Sequence, residues 1–182
     1  MDTNPVTSQP PRRRQRRIIT KIVSLLLITA GTSLADNSIK LEVAAKSQHD
    51  DPKGNNPQEV QKRWLEISAT VFHLEKPAAV KVEWAFYGDN LDSGQIVKHA
   101  GGSDIVNLNQ GKSAVINSKP VSFAFTPRHS VRTGKGKRSR SRTVEATGTR
   151  YHGWGVRAYV DGKLAGEAYS LPSIKKLIEN DD

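Results

Sequence analysis

Cysteine is absent from the 182 residues. No disulfide therefore staples the fold, no thiolate can act as a nucleophile, and no metal site can be built on sulfur. Long apolar runs are missing too. The longest block, Ile22 to Ala30, falls well short of the about 20 apolar residues that span a bilayer. Extended helical periodicity is lacking, which argues against a parallel sheet covered by helices. Asn-x-Ser/Thr sites are also lacking. Aromatic residues are few, eleven in all. Each falls in a segment read here as strand: Trp64, Phe72, Trp84, Phe86, Tyr87, Phe123, Phe125, Tyr151, Trp154, Tyr159 and Tyr169. That concentration argues for one packed core rather than a disordered chain.

Charge is present but unevenly placed. The formal net charge is +10. The first 35 residues carry +5 of it, and Arg128 to Arg142 carries +7 with no acid, leaving the rest of the chain slightly acidic. The positive charge is thus two local features and not a basic domain.

The first feature has the order of a secretory signal peptide. A basic cluster, Arg12 to Arg17, precedes the apolar block Ile22 to Ala30, and Ser33-Leu34-Ala35 supplies small residues for signal peptidase. Cleavage is expected after Ala35, leaving a mature domain of residues 36–182 located in the periplasm or outside the cell, with no membrane span. Arg16-Arg17 followed by Lys21 is a loose version of the twin-arginine export signal, and the ordinary secretory route is preferred. A domain of that size buries close to 70% of its unfolded surface and can dispense with disulfides.

The mature chain reads as eight or nine short strands. Ile39 to Ala45 alternates, and Lys46 to Asn56 reads as a loop, with Asn56-Pro57-Gln58-Glu59 able to start a helical turn. Trp64 to Leu74 is a long strand candidate. Val80, Val82, Trp84 and Phe86 alternate with Lys81, Glu83 and Ala85 as the clearest core strand, turned by Gly88-Asp89-Asn90. Gln95 to His99 and Asp104 to Asn109 flank Gly101-Gly102 as a predicted hairpin. Ser113 to Ile116 and Val121 to Phe125 follow. Thr143 to Arg150 and Gly153 to Val160 form one bent strand or two, with a bend or bulge at Gly148 or Gly153. Asp161-Gly162 between Gly153–Val160 and Lys163–Tyr169 is the strongest hairpin signal in the chain, and a two-residue turn is expected there. In that register Arg157 faces Gly166 and Trp154 faces Tyr169, but Lys163 and Glu167 fall on the apolar face. A short helix over Ile174 to Glu179 closes the chain. The pattern predicts an all-β fold, an antiparallel β-sandwich of immunoglobulin/fibronectin type with a short C-terminal helix, with a small barrel as the main rival.

Chemistry is sparse. His49, His73, His99, His129 and His152 never stand at a metal-ligand spacing. His49-Asp50-Asp51 reads as a solvated loop, and His152, beside Tyr151 and Trp154, as a strand-end histidine packed on aromatics. No serine lies in Gly-x-Ser-x-Gly. Gly134-Lys135-Gly136-Lys137 lacks the Ser or Thr and the earlier Gly of a phosphate loop. Glu66, Glu75 and Glu83 read as strand-surface carboxylates and not as a glycosidase pair. No catalytic constellation, metal site or cofactor motif emerges, and the expectation is a non-enzymatic protein.

The second basic feature is the one unusual surface. Arg128 to Arg142 is expected to be a flexible, extended loop, because like charges repel and Gly and Ser do not order it. Its candidate ligand-binding residues are Arg132, Lys135, Lys137, Arg138, Arg140 and Arg142. The partner classes are an anionic envelope polymer, such as teichoic or lipopolysaccharide phosphates or acidic polysaccharide, or an acidic protein. Nucleic acid is disfavoured because no aromatics interleave the cations. A carbohydrate-binding module or a structural subunit of an envelope assembly are the alternatives.

The run Gly153-Trp154-Gly155-Val156-Arg157-Ala158-Tyr159-Val160-Asp161-Gly162-Lys163-Leu164, continuing to Tyr169-Ser170-Leu171-Pro172-Ser173-Ile174-Lys175-Lys176-Leu177, resembles the carboxyl end of uncharacterised exported bacterial β-sandwich proteins. Lys81-Val82-Glu83-Trp84-Ala85-Phe86-Tyr87-Gly88 is similar to their central strand. The resemblance spans Trp64 to Leu177. It implies a fold and an envelope location and carries over no functional residue.

Overall fold

Alternation of apolar and polar residues sets most of the strands. In the computed structural model, which describes residues 25–26, 39–50, 57–72, 76–134 and 140–181, they form an antiparallel all-β structure with one short C-terminal helix. The elements are β1 (Leu25–Leu26), β2 (Ile39–Asp50), β3 (Glu59–Val71), β4 (Ala78–Asn90), β5 (Gln95–Leu108), β6 (Ser113–Asn117), β7 (Val121–Thr126), β8 (His129–Thr133), β9 (Arg140–Val144), β10 (Thr147–Val160), β11 (Lys163–Tyr169) and α1 (Pro172–Asp181). Of the expected leader, only Leu25 and Leu26 lie within the described residues, and they pair with Ala45 and Ala44 of β2. The expected cleavage site lies outside them.

Nine strands join edge to edge in the order β1-β2-β3-β7-β10-β4-β5, with β6 also on β3 and β11 also on β10. The strand β10 connects two portions of this sheet. Thr147 and Gly148 pair with β7, and Thr149 to Val160 then pair with β4. Gly148 stands at the crossing with φ 90°. A Cβ there would lie 2.6 Å from the Ala124 carbonyl oxygen, so neither the backbone angle nor the space admits a side chain. On the other portion, β3 pairs with β7 through Glu59 to Arg63 and with β6 through Glu66 to Thr70. Ser118 fills the gap between β6 and β7. Its Oγ accepts from the Leu65 N–H at 2.8 Å, and its N–H donates to the Leu65 carbonyl at 2.9 Å.

One core lies between the two portions. Leu65, Ile67, Ala69 and Val71 of β3 meet Val80, Val82 and Phe86 of β4, Val156 and Ala158 of β10, and Phe123 of β7. Each large apolar side chain taken out of water here contributes roughly 1.5–3 kcal/mol. A second, smaller cluster covers the opposite face of β4 and β10. There Ala85 and Tyr87 pack on Ile174, with Ile96, Tyr169, Leu177 and Ile178 around them. The Gly-Trp-Gly triplet explains how α1 gets so close. Trp154 is buried in the main core, while a Cβ on Gly153 or Gly155 would lie 2.5 Å from Ile174 Cδ1 or 2.7 Å from Ile178 Cδ1.

Several sequence readings are corrected. Gly101-Gly102 is not a hairpin turn, for β5 runs straight through it, opposite Ala85 and Trp84. The glycines are there for clearance: a Cβ on Gly102 would lie 2.8 Å from the Trp84 ring. Gly88, Asp89 and Asn90 are strand, and the turn comes at residues 91–94, where Asn90 Oδ1 accepts from the Asp92 and Ser93 N–H groups. Lys46 to Asp50 continues β2 because Lys62 and Trp64 across the sheet give those residues partners. No helical turn forms at residues 57–59, where β3 begins. The helix α1 is longer than Ile174 to Glu179.

The Asp161-Gly162 turn is the two-residue one, with φ 50° and 74°. The register beyond it differs from expectation. A bulge at Ala165 shifts β11 by one residue, so that Arg157 faces Glu167 and Gly155 faces Tyr169. The shift removes the Glu167 part of the mismatch: Ala165 and Ala168 are buried, and Glu167 lies with Arg157, while Lys163, before the bulge, still faces Val160 and is exposed. Replacing Gly148 by Ala is expected to destabilise the fold by about 2 kcal/mol or more, since it adds both a positive-φ penalty and a backbone clash. Urea denaturation with an unchanged midpoint would show that the crossing tolerates a side chain.

Candidate functional site

The basic segment folds in part. His129 to Thr133 pairs with Arg140 to Val144 as a separate two-stranded ribbon, which corrects the expected flexible loop. The cause is cross-strand pairing of polar, β-branched and long side chains, Ser130 with Thr143 and Val131 with Arg142. Alternation then sorts the cations. Arg140 and Arg142 share a face with Val131 and Thr133, and Arg132 lies opposite Ser141 on the other. The two arginines of β9 stand about 7 Å apart along the strand. Arg132, Arg140 and Arg142 are all exposed, and among the described residues none of the three is paired with an acid. Arg128 at the ribbon's base lies 3.4 Å from Glu145, an exposed pair that adds little stability. Lys135, Lys137 and Arg138 lie outside the described residues.

The remaining sequence candidates scatter. His49 lies on β2, 3.8 Å from Glu59, and Asp50 pairs with Lys62 at 3.3 Å, so neither is in a loop. Glu66 pairs with Lys46 and Glu83 with Lys81 on different sheet portions. Glu75 lies outside the described residues. Among the described residues no three His, Cys, Asp or Glu side chains converge on a metal position.

One constellation escaped the sequence reading. His152 Nδ1 is 2.8 Å from Asp89 Oδ1, and its Nε2 is 3.4 Å from Ser173 Oγ. Asp89 Oδ2 accepts from Arg150 Nη2 at 3.1 Å. The three residues belong to β4, β10 and α1, and only the fold unites them. The signal that could have found them is local: a strand whose core-facing Tyr151 and Trp154 are three apart must carry an extra residue between them.

Around this row the helix is fastened. Lys175 donates to Glu167, Tyr169 donates to Glu167 Oε2 at 3.0 Å, and Arg157 donates to the Tyr169 hydroxyl at 3.2 Å. Burial pushes the Glu167 carboxyl up, but the hydrogen bonds from Lys175 and Tyr169 outweigh it and hold the group below its ordinary range. Ser170 Oγ accepts from the Trp154 N–H at 2.8 Å and donates to the Trp154 carbonyl at 3.2 Å, fixing the turn before α1.

Beside His152, Tyr151 lies edge-on to Phe123 with Arg63 4.4 Å above its ring. Comparison of the chain with protein-family models, curated proteins and solved structures gives no match.

Burial pushes the Tyr151 hydroxyl up to about 12, against the opposing pull of Arg63. A raised folded value for an acid that is neutral when protonated stabilises the fold fully below the ordinary value of 10.0. That contribution is lost as pH rises from there toward about 12. Absorbance titration is expected to show one tyrosine ionising near pH 12 that disappears in Tyr151→Phe. A titration in which all tyrosines ionise together at their ordinary value contradicts this.

Proposed function

We propose that the protein is an exported binding protein whose β8–β9 ribbon holds an anionic envelope polymer, or an acidic protein, by its arginines. The observation that carries the reading is the ribbon itself: two paired strands present Arg132, Arg140 and Arg142 to solvent, and among the described residues none of them is paired with an acid. Paired strands spend less conformational freedom on binding than a coil does, so each contact retains more of its energy. Arginine suits phosphate and carboxylate groups because its planar fork donates two hydrogen bonds at once. Binding would be driven by counterion release and would weaken with salt.

Export is part of the same proposal and is supported by the order of basic cluster, apolar block and Ser33-Leu34-Ala35 in the first 35 residues. The architecture is read as a β-sandwich of immunoglobulin/fibronectin type, supported by two antiparallel sheet portions with an apolar core between them. The resemblance to exported bacterial β-sandwich proteins points the same way.

The test uses the mature chain recovered from the periplasmic fraction, whose intact mass is expected to place Asp36 first. Inorganic polyphosphate and heparin serve as anionic probes. Replacing Arg132, Arg140 and Arg142 together by Ala is expected to weaken binding at least tenfold. It should also lower the slope of log affinity against log salt by about two to three, about one per lost contact. An unchanged affinity, or a mature chain starting at Met1, overturns the proposal.

A further inference from the structure

We propose that Ser173, His152 and Asp89 form a nucleophilic acyl-transfer site acting on esters carried by a large polar molecule. The site is independent of the ribbon and shares no residue with it.

The geometry has the three relations that activate a serine. The Nδ1–H of His152 donates to Asp89 Oδ1 at 2.8 Å. That bond fixes the neutral tautomer and leaves Nε2 with a lone pair. Nε2 faces Ser173 Oγ at 3.4 Å, a separation typical of nucleophile and base in a ligand-free site, which tightens when substrate arrives. The carboxylate is held from its far side as well, by Arg150 at 3.1 Å from Oδ2. Asp89 is thus a positioning residue, His152 the general base and Ser173 the nucleophile.

The backbone is shaped to produce this row. Tyr151 and Trp154 both pack toward the main core. Simple alternation would put His152 on the side of Trp154, inside the core. The bulge in the β10–β4 register, between Tyr151 and Gly153, places His152 and Gly153 together on the side that α1 covers. Bulges recur beside active sites because they re-aim one side chain in this way. Gly153 in turn lets α1 approach until Ser173 reaches the imidazole.

Exposure fits the division of labour. The Asp89 and His152 side chains are 25% and 21% exposed, while Ser173 is open to solvent. A nucleophile at the surface selects an ester displayed on a bulky polar carrier and not a small apolar molecule that needs enclosure. Ser173 follows Pro172 in the first turn of α1, so its own N–H has no intrahelical acceptor and can donate to a developing oxyanion.

The chemistry balances without a further reagent. Oγ bonds to the acyl carbon as its proton passes to Nε2. The ester C–O bond breaks, and the leaving alkoxide takes that proton from Nε2. Water, deprotonated by Nε2, then attacks the acyl carbon, and Oγ leaves and regains the proton. The net change is ester plus water to acid plus alcohol.

The test is covalent labelling of the full chain with a fluorophosphonate probe, mapped by peptide mass spectrometry. One adduct is expected, on Ser173, and Ser173→Ala abolishes it. His152→Gln keeps hydrogen-bonding capacity to both neighbours but cannot serve as base, and is expected to slow labelling at least 100-fold with the melting temperature unchanged. Asp89→Asn is expected to slow it at least tenfold and to displace the pH profile of the rate, which a merely structural link would not do. No adduct, an adduct on another residue, or a normal rate in His152→Gln overturns the proposal.

Discussion

The constraint on which the structure depends is that β10 serves two sheet portions at once. Its first residues pair with β7 and its remainder with β4, while one face carries core residues of both portions. A single strand with this double duty makes the core continuous. It also explains the run of glycines along it. Gly148 permits the crossing, and Gly153 and Gly155 admit the helix against the opposite face. Each glycine sits where backbone or a packed side chain takes the room that a Cβ would need.

The strands were legible where apolar and polar residues alternate, as over Val80 to Phe86 and Val121 to Phe125, because burial on one face imposes a period of two. The Asp161-Gly162 turn was legible because only a few residues tolerate positive φ in succession. What failed was the meaning of glycine. Gly101-Gly102 looks like a turn in one dimension but is a clearance for Trp84 in three. The bulge at Ala165 was opaque, since it answers to a partner strand, whereas a glycine inside the strand pattern does point to the bend or bulge next to Gly153. The ribbon is not legible for a related reason: charge repulsion within a segment says nothing of the hydrogen bonds its two halves can make with each other.

Of the candidate residues, the exposed arginines were legible from composition, since an acid-free cationic run has no internal partner. The Asp89–His152–Ser173 row was not, because its members are brought together by a bulge and by a helix resting on glycines. The two surfaces differ in how they are built. The ribbon is two strands outside the main sheet. The row sits on β4, β10 and α1, where β4 and β10 pair over most of their length, and is braced by the Lys175–Glu167 and Ser170–Trp154 contacts. Recognition on a separate appendage and chemistry on a rigid core element are physically compatible, since placement within about 0.5 Å matters for the second and not for the first.

If β10 binds both sheet portions into one unit, no portion can open alone. Hydrogen-exchange mass spectrometry under native conditions tests this most directly. Amides of β3, in one portion, and of β4, in the other, are expected to share one opening free energy with the centre of β10, and all three to fall together as denaturant is added. Exchange of β3 through an opening that leaves β4 protected would show that the shared strand does not couple the halves, and would contradict the account.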